Sequence, residues 1–90
     1  MYRIVIVCPG VPEPIRFEAA AWIQREFEVH RAHHSSVCCT FEGDELTLTA
    51  DNDFDANGLA LLDEFSDCIS AYFAETPGDG SLEIKSVTMI

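Results

Sequence analysis

The sequence predicts a single α+β domain, a two-layer sandwich with two helices on one face of an antiparallel sheet. Two segments with helical spacing of apolar residues alternate with strand-like segments, in the order strand, helix, strand pair, helix, strand. The first strand segment is apolar on both faces, which is typical of a central strand. A chain of 90 residues holds one core, so residues 1–90 are expected to form one domain. The order of segments favours a ferredoxin-like (split βαβ) topology.

The first third of the chain is predicted to contain one strand and one helix. Arg3–Cys8 is rich in β-branched residues, and a Pro-Gly pair ends it. A helix is expected over residues 14–27, because Pro14 suits a first helical turn. Apolar residues then recur at helical spacing, namely Ile15, Ala19, Trp22, Ile23 and Phe27. Residues 28–34 are expected to be extended.

The remainder is predicted to hold a hairpin, a second helix and a last strand. Val37–Phe41 and Leu46–Ala50 flank a turn that contains a glycine. The second helix is expected from about Phe54 to Ala74, and Ser81–Ile90 is expected to be a strand. The predicted buried stripe of this helix consists of Leu62, Phe65, Ile69, Tyr72 and Phe73.

The number of strands between the helices stays open in the sequence. Residues 28–41 fit one long bent strand, or two strands joined by a turn near His34, Ser35 and Ser36. The first alternative gives a four-stranded sheet and the second a five-stranded sheet.

The negative charge of the chain is concentrated in its second half. No Lys or Arg occurs from Ala32 to Ile84, whereas this stretch holds twelve of the Asp and Glu residues behind the net charge of -11. Such a field repels nucleic acid and anionic lipid and attracts a basic protein. We therefore expect a protein partner, and neither nucleic acid nor membrane. No apolar run approaches the roughly 20 residues of a membrane span. Cysteine spacing is unlike that of secreted proteins, which predicts a cytoplasmic chain with reduced thiols.

The sharpest motif resembles the spacing of a calcium loop. Asp53, Asp55, Asn57 and Gly58 follow the pattern D-x-D-x-N-G, and Glu64 occupies the twelfth position. Oxygen ligands at this spacing can coordinate calcium. The competing interpretation is favoured, because a predicted strand rather than a helix precedes the motif. In that interpretation the acidic residues cap the second helix at its positive end, and the glycine allows close packing on the sheet.

A second candidate metal site lies between the first helix and the hairpin. His30, His34 and Cys38 would share one face of an extended strand, and imidazole and thiolate suit zinc or copper(I). The spacing matches no established finger or ribbon. The competing interpretation places one of the adjacent Cys38 and Cys39 in the core and the histidines on an exposed strand.

Taken together, these patterns favour a non-enzymatic protein-interaction or regulatory module. The chain has no P-loop, dinucleotide fingerprint or nucleophile elbow, and it implies no cofactor. One candidate binding surface is the acidic second helix with Asp63, Glu64 and Asp67. The other is an open sheet edge, which can also pair with a copy of the chain and form a homodimer. The alternative function is metal binding through the histidine–cysteine strand or the calcium-like loop.

Overall fold

The described residues form a four-stranded antiparallel sheet with two helices, which confirms the predicted α+β class and the smaller of the two predicted strand counts. The computed structural model describes residues 1–10, 16–30, 34–42, 45–72 and 82–90. The strands lie in the order β2-β3-β1-β4, and all neighbours are antiparallel. The elements are β1 (Tyr2–Cys8), α1 (Arg16–His30), β2 (Ser35–Glu42), β3 (Glu45–Asn52), α2 (Leu59–Tyr72) and β4 (Glu83–Met89).

β1 occupies an inner position in the sheet, which confirms the prediction from its two-sided apolar pattern. It pairs with β3 from Tyr2↔Asn52 to Cys8↔Leu46 and with β4 on its other side. Each helix connects two strands that have one further strand between them. A ferredoxin-like topology also requires right-handed crossovers, so this finer assignment stays a prediction.

The core lies between one face of the sheet and both helices. Side chains alternate along a strand, and the face toward the helices carries Ile4, Ile6, Cys8, Leu46, Leu48 and Ala50, all of them buried. The helices contribute the buried residues Ala20, Ile23, Phe27, Leu61, Phe65 and Cys68 to the same cluster. Both helices therefore pack on the same face of the sheet, and the other face carries no helix of the described chain.

The first helix extends beyond its predicted end. It runs to His30, so the extended conformation predicted for residues 28–34 is wrong over residues 28–30. This last turn is exposed on all sides, and it therefore lacks the apolar periodicity that marks the rest of the helix. Within the predicted stripe Ala19, Ile23 and Phe27 are buried and Trp22 is half-buried, while Ile15 lies outside the described residues.

The second helix begins five residues later than predicted. Residues 55–58 form a turn, in which the Gly58 N–H donates to the carbonyl of Asp55 at 3.1 Å, and the helix begins at Leu59. The helix is also rotated relative to the predicted stripe, because its fully buried side chains are Leu61, Phe65 and Cys68. Leu62 and Ile69 are only half-buried, and Phe73 lies outside the described residues.

Between α1 and β3 the described residues contain a single strand, β2, and it is bulged. Ser36 has a φ of 51°, and the pairing of β2 with β3 shifts register between Ser35 and Cys38. An extra residue in one strand of an antiparallel pair produces such a bend. The described residues thus support the four-stranded alternative, with a bulge where the five-stranded alternative places a turn. Residues 31–33 lie outside the described residues.

Candidate functional site

Buried polar side chains converge where β3 ends and α2 begins. His34 precedes β2, Asn52 ends β3, and Asp55 lies in the turn before α2. Their exposed fractions are only 6%, 3% and 4%. Buried polar groups require hydrogen-bond partners, and these three residues, with Glu64 of α2, largely supply them to one another and to nearby backbone groups.

Asp55 caps α2 from outside the helix. Its Oδ1 accepts the Ala60 N–H at 3.1 Å and its Oδ2 accepts the Leu61 N–H at 3.0 Å. The cap position itself is Gly58, whose carbonyl accepts the Leu62 N–H at 3.0 Å. Because glycine has no side-chain oxygen to cap the free N–H groups, Asp55 takes that role and places a carboxylate at the positive end of the helix. The capping interpretation of this residue is confirmed.

Gly58 brings the start of α2 directly onto the sheet. Its φ is +77°, a conformation that L side chains rarely adopt. A Cβ atom at this position would lie 3.2 Å from Cγ2 of Ile4, 3.3 Å from Cγ2 of Val87 and 3.4 Å from Cδ1 of Ile84. The close packing predicted for this glycine is therefore confirmed, although the residue lies just before the helix and not inside it.

Asn52 links the turn to the histidine and sets the tautomer of its neutral ring. Its Oδ1 accepts two backbone N–H groups, from Asp55 at 2.8 Å and from Phe54 at 3.2 Å. The amide is thereby oriented with Nδ2 toward His34, 3.2 Å from Nδ1. An amide nitrogen only donates, so Nδ1 of His34 must accept. The neutral ring therefore carries its proton on Nε2.

His34 is held between a carboxylate and two aromatic rings. Its Nε2–H donates to Oε2 of Glu64 on α2, and the histidine side chain is 0% exposed while that of Glu64 is 18% exposed. The ring centroids of Phe27 and Phe54 lie 5.9 and 6.0 Å from that of His34. The predicted exposure of the histidines is wrong for His34, because it precedes β2 and its ring packs near Phe27 and Phe54. Both ring nitrogens are engaged, so the ring ties β3, the turn and α2 together.

The residues of the histidine–cysteine hypothesis lie in different parts of the structure. His30 is exposed on the last turn of α1, whereas His34 is buried in the network. Cys38 pairs with Thr49 and faces away from the helices, and Cys39 is buried on the core face. Across the described ranges no three His, Cys, Asp or Glu side chains are grouped in a way that could hold a metal ion.

The residues of the calcium-like motif serve other purposes in the described structure. Asp53 is exposed, the Asp55 carboxylate accepts two backbone N–H groups, and Oδ1 of Asn57 lies 3.4 Å from the Leu59 nitrogen. Glu64 accepts the hydrogen bond from the imidazole instead. The motif's first oxygens lie outside the helix, because α2 begins only after the motif's glycine.

The structure divides the three acids predicted to bind a partner. Asp63 and Asp67 are exposed on the outer side of α2, whereas Glu64 is half-buried against the imidazole. Within the described part of the chain, neither aspartate forms an ion pair. Two large apolar side chains lie exposed at the start of the helix, Phe54 at 53% and Leu59 at 56%. We call Phe54, Leu59, Asp63 and Asp67 the outer α2 surface.

The two edge strands of the sheet, the other predicted binding surface, both depart from a regular exposed strand. On β2 the Cys39 N–H donates to Oε1 of Gln24 of α1 at 3.1 Å, and the strand carries the bulge described above. On β4 the register shifts opposite Val5 and Ile6, and Lys85, the only lysine of the sequence, lies in the middle of the strand. Bulges, edge lysines and covering helices are the features that disfavour edge-to-edge pairing.

The thiols give no indication of a reactive site. Cys8, Cys39 and Cys68 are buried and Cys38 is exposed. Burial raises the pKa of the Cys39 thiol to about 12, and the other three thiols raise it further in the same direction. A thiol with a raised pKa is a poor nucleophile at neutral pH because the thiolate is the reactive form.

Sequence reasoning missed the partnership of His34 with Asn52 and Glu64. The histidine and the glutamate are 30 positions apart, and the histidine and the asparagine are 18 apart. Neither separation belongs to a helical or strand period. The only local signal was Asn52 at the end of an alternating strand, just before the acidic turn.

Comparison with known proteins gives no relative from which a function can be taken. No family model, curated protein or solved structure matches this chain. Among the described residues, no helix is long and apolar enough to cross a membrane. The functional argument therefore depends on the surfaces of the molecule itself.

Proposed function

We propose that this chain is a non-enzymatic protein-interaction or regulatory module of the cytoplasm that binds a basic protein through the outer α2 surface. The observation that carries the proposal is the exposure of Asp63 and Asp67 at four-residue spacing after the exposed Leu59, with no ion pair to either aspartate in the described structure. Phe54, just before the helix, is a further exposed apolar side chain. Interfaces commonly combine apolar contacts with a polar rim. A partner with basic residues around an apolar anchor fits this combination.

The charge of the whole chain supports the same surface. The net charge is -11, and the stretch without Lys or Arg includes all of α2. Fields of this kind accelerate encounter with an oppositely charged partner and disfavour acidic competitors. The outer α2 surface is thus expected to contribute association rate through its aspartates and residence time through its apolar side chains.

The buried network supports the proposal by holding this surface in one conformation. Asp55 fixes the first turn of α2, and Asn52 and His34 fix the turn that carries Phe54. A preorganised surface loses less conformational entropy on binding. In this proposal the network is a support for the binding surface and has no direct contact with the partner.

The sheet edges are weaker candidates for the same function. β2 is partly covered by α1 through Gln24, and β4 carries a bulge and Lys85. Strand addition needs a row of accessible backbone groups on a regular strand. The metal-binding alternative also gains no support from the described side chains, because most oxygen and nitrogen donors of the two motifs already bond to protein groups.

The test is a pair of double variants with equal changes in charge. Asp63→Lys with Asp67→Lys inverts the outer α2 surface, and Glu18→Lys with Glu28→Lys makes the same change at exposed positions of α1. Partners retained from a cytoplasmic extract by the wild type are identified, and their dissociation constants are measured with each variant. We expect the α2 variant to bind about tenfold or more weakly, which is 1.4 kcal/mol or more.

The α1 variant is expected to bind within a few-fold of the wild type, because only the overall field changes. An equal loss of affinity in both variants would show that binding depends on net charge and not on the outer α2 surface. Unchanged binding by a folded α2 variant would exclude the outer α2 surface. Glu64 is left intact in this design because its replacement disturbs the buried imidazole.

A further inference from the structure

The face of the sheet opposite the helices is unusual for this chain because its central positions carry no charge. Cross-strand pairing places the side chains around Val5 on one surface: Thr49 and Ser86 lie beside it on the neighbouring strands, and Cys38 follows Thr49 on β2. We call this surface the helix-free face. Its seven central members are Val5, Val7, Cys38, Thr40, Thr47, Thr49 and Ser86.

Charge at the border of this face is balanced at one end. Nε and Nη2 of Arg3 donate to Oδ1 and Oδ2 of Asp51, each at 3.0 Å. This hydrogen bonding, together with Coulombic attraction, raises the pKa of the Arg3 guanidinium. The pair is locally neutral, and acidic residues return at the opposite end of the face with Glu45 and Glu83. The edge strand β4 adds one exposed cation, Lys85, at its bulge.

We infer that the helix-free face binds a second copy of this chain, so that the protein forms a dimer with the sheets face to face and the helices outside. Depletion of charged residues is the compositional feature that marks the centre of interfaces. Serine and threonine hydroxyls both donate and accept hydrogen bonds. A surface of hydroxyls and small apolar groups is therefore self-complementary, as a two-fold interface requires.

Electrostatic repulsion between two copies is smallest when the acidic helices lie far apart, as they do in this orientation. Two chains of charge -11 repel each other when their acidic surfaces approach. Sheets pack face to face about 10 Å apart, and each helix layer adds a further layer of about 10 Å. The two outer α2 surfaces would then lie several Debye lengths apart, since this length is about 8 Å at physiological ionic strength.

The size of the face sets the expected strength. Four strands of seven or eight residues span roughly 20 by 25 Å at the usual strand spacing and rise. Two such faces bury a total near the roughly 1,000 Å² at which specific interfaces begin. The dimer is therefore expected to be reversible and dependent on concentration, and to strengthen with added salt as the repulsion between chains is screened.

The experiment is sedimentation equilibrium over a range of protein and salt concentrations. The mass of the wild type is expected to rise from 10.0 kDa toward twice that value. Thr49→Lys places a charge at the centre of the face and is expected to stay monomeric. Phe17→Lys, at a position on α1 that is 89% exposed, adds the same charge elsewhere and is expected to dimerise like the wild type.

Two further measurements keep the inference falsifiable if Thr49→Lys does not fold by circular dichroism. Thr40→Lys changes an exposed position of β2 on the same face. The exposed thiol of Cys38 also lies on this face, so its rate of alkylation in the wild type should fall as protein concentration rises. A wild type that is monomeric throughout, or a folded face variant that dimerises normally, would overturn the inference.

Discussion

The outer α2 surface and the helix-free face come largely from the same acidic stretch of sequence, yet they differ completely in charge. Residues 32–84 contain no Lys or Arg, and they supply β2, β3 and α2. The strands present threonines and Cys38 outward, whereas the helix presents Asp63 and Asp67. The asymmetry along the sequence thus becomes an asymmetry between two sides of the molecule, and each side suits a different kind of contact.

Three acids of that stretch are bonded to specific groups of the protein, so they contribute less to the negative potential at the surface. Asp51 pairs with Arg3, Asp55 caps α2, and Glu64 accepts a hydrogen bond from His34. Charge in this chain is therefore used in two ways, for local structure inside and for a long-range field outside. The predictions below separate these uses and begin with the largest effect.

Gly58→Ala is expected to have the largest effect, because it acts on the contact that joins α2 to the sheet. Adding a Cβ strains the positive φ by roughly 1–2 kcal/mol and forces it against Ile4, Val87 and Ile84. We expect the free energy of unfolding to fall by about 2–4 kcal/mol, measured by urea denaturation.

Gly10→Ala is the matched control for this effect. Gly10 has the same φ of +77°, but nothing lies within 4 Å of its Cβ position. Its substitution therefore reports the backbone strain alone. An equal loss in the two variants would show that α2 is not held by close packing at Gly58, and the outer α2 surface would then lack its proposed support.

Asp55→Ala is expected to destabilise the fold by about 1–3 kcal/mol, because it leaves two backbone N–H groups at the start of α2 without their acceptor. Asp53→Ala removes a neighbouring but exposed carboxylate and should change stability by less than about 0.5 kcal/mol. Thermal and urea unfolding of both variants measure the difference. A large loss from Asp53→Ala as well would mean that general charge and not the cap stabilises this end.

The adjacent cysteines of β2 allow a comparison of the two faces through pH. The pKa of Cys39 is raised from its ordinary 9.0 to about 12, first by burial. Below pH 9 both folded and unfolded chains hold the proton, so stability is unaffected. Between pH 9 and 12 only the unfolded chain ionises, and stability should fall by about 1.4 kcal/mol per pH unit from this thiol.

Cys39→Ala should flatten this alkaline decrease, whereas Cys38→Ala, at the exposed thiol, should leave most of it. Denaturant unfolding at several pH values provides the measurement. If the two variants kept the wild-type slope, the core side of β2 would not impose the desolvation that its burial implies.

The fold could be predicted from sequence to the extent that it depends on local periodicity. The two-sided apolar pattern of β1 and the alternation of Leu46 and Leu48 in β3 defined the sheet. The start of α2 could not be placed, because the turn before Gly58 has the same composition as a helical first turn. The capping acid was identifiable because its partners lie five and six residues away. The imidazole network depends on contacts 18 and 30 residues apart, for which one sequence offers no signal.

Asp67→Lys is expected to have the smallest effect on stability, and its sign is the informative part. Asp63 and Asp67 are four residues apart on α2, where like charges repel by a few tenths of a kcal/mol. Replacing the second aspartate by a cation turns this repulsion into attraction and places positive charge nearer the negative end of the helix. We expect a gain of about 0.5–1 kcal/mol in free energy of unfolding, and about half of that for Asp67→Asn.

The gain should shrink as salt is added, since both terms are electrostatic and exposed. A gain in stability on replacement would mean that Asp67 lowers the stability of the isolated domain. Such an exposed acid lowers the stability of the fold, and it lies near exposed apolar residues whose hydration is also unfavourable. Binding of a partner explains this combination of residues, whereas the stability of the fold does not. Loss of stability in Asp67→Lys would remove this argument and leave the outer α2 surface as an ordinary solvated helix face.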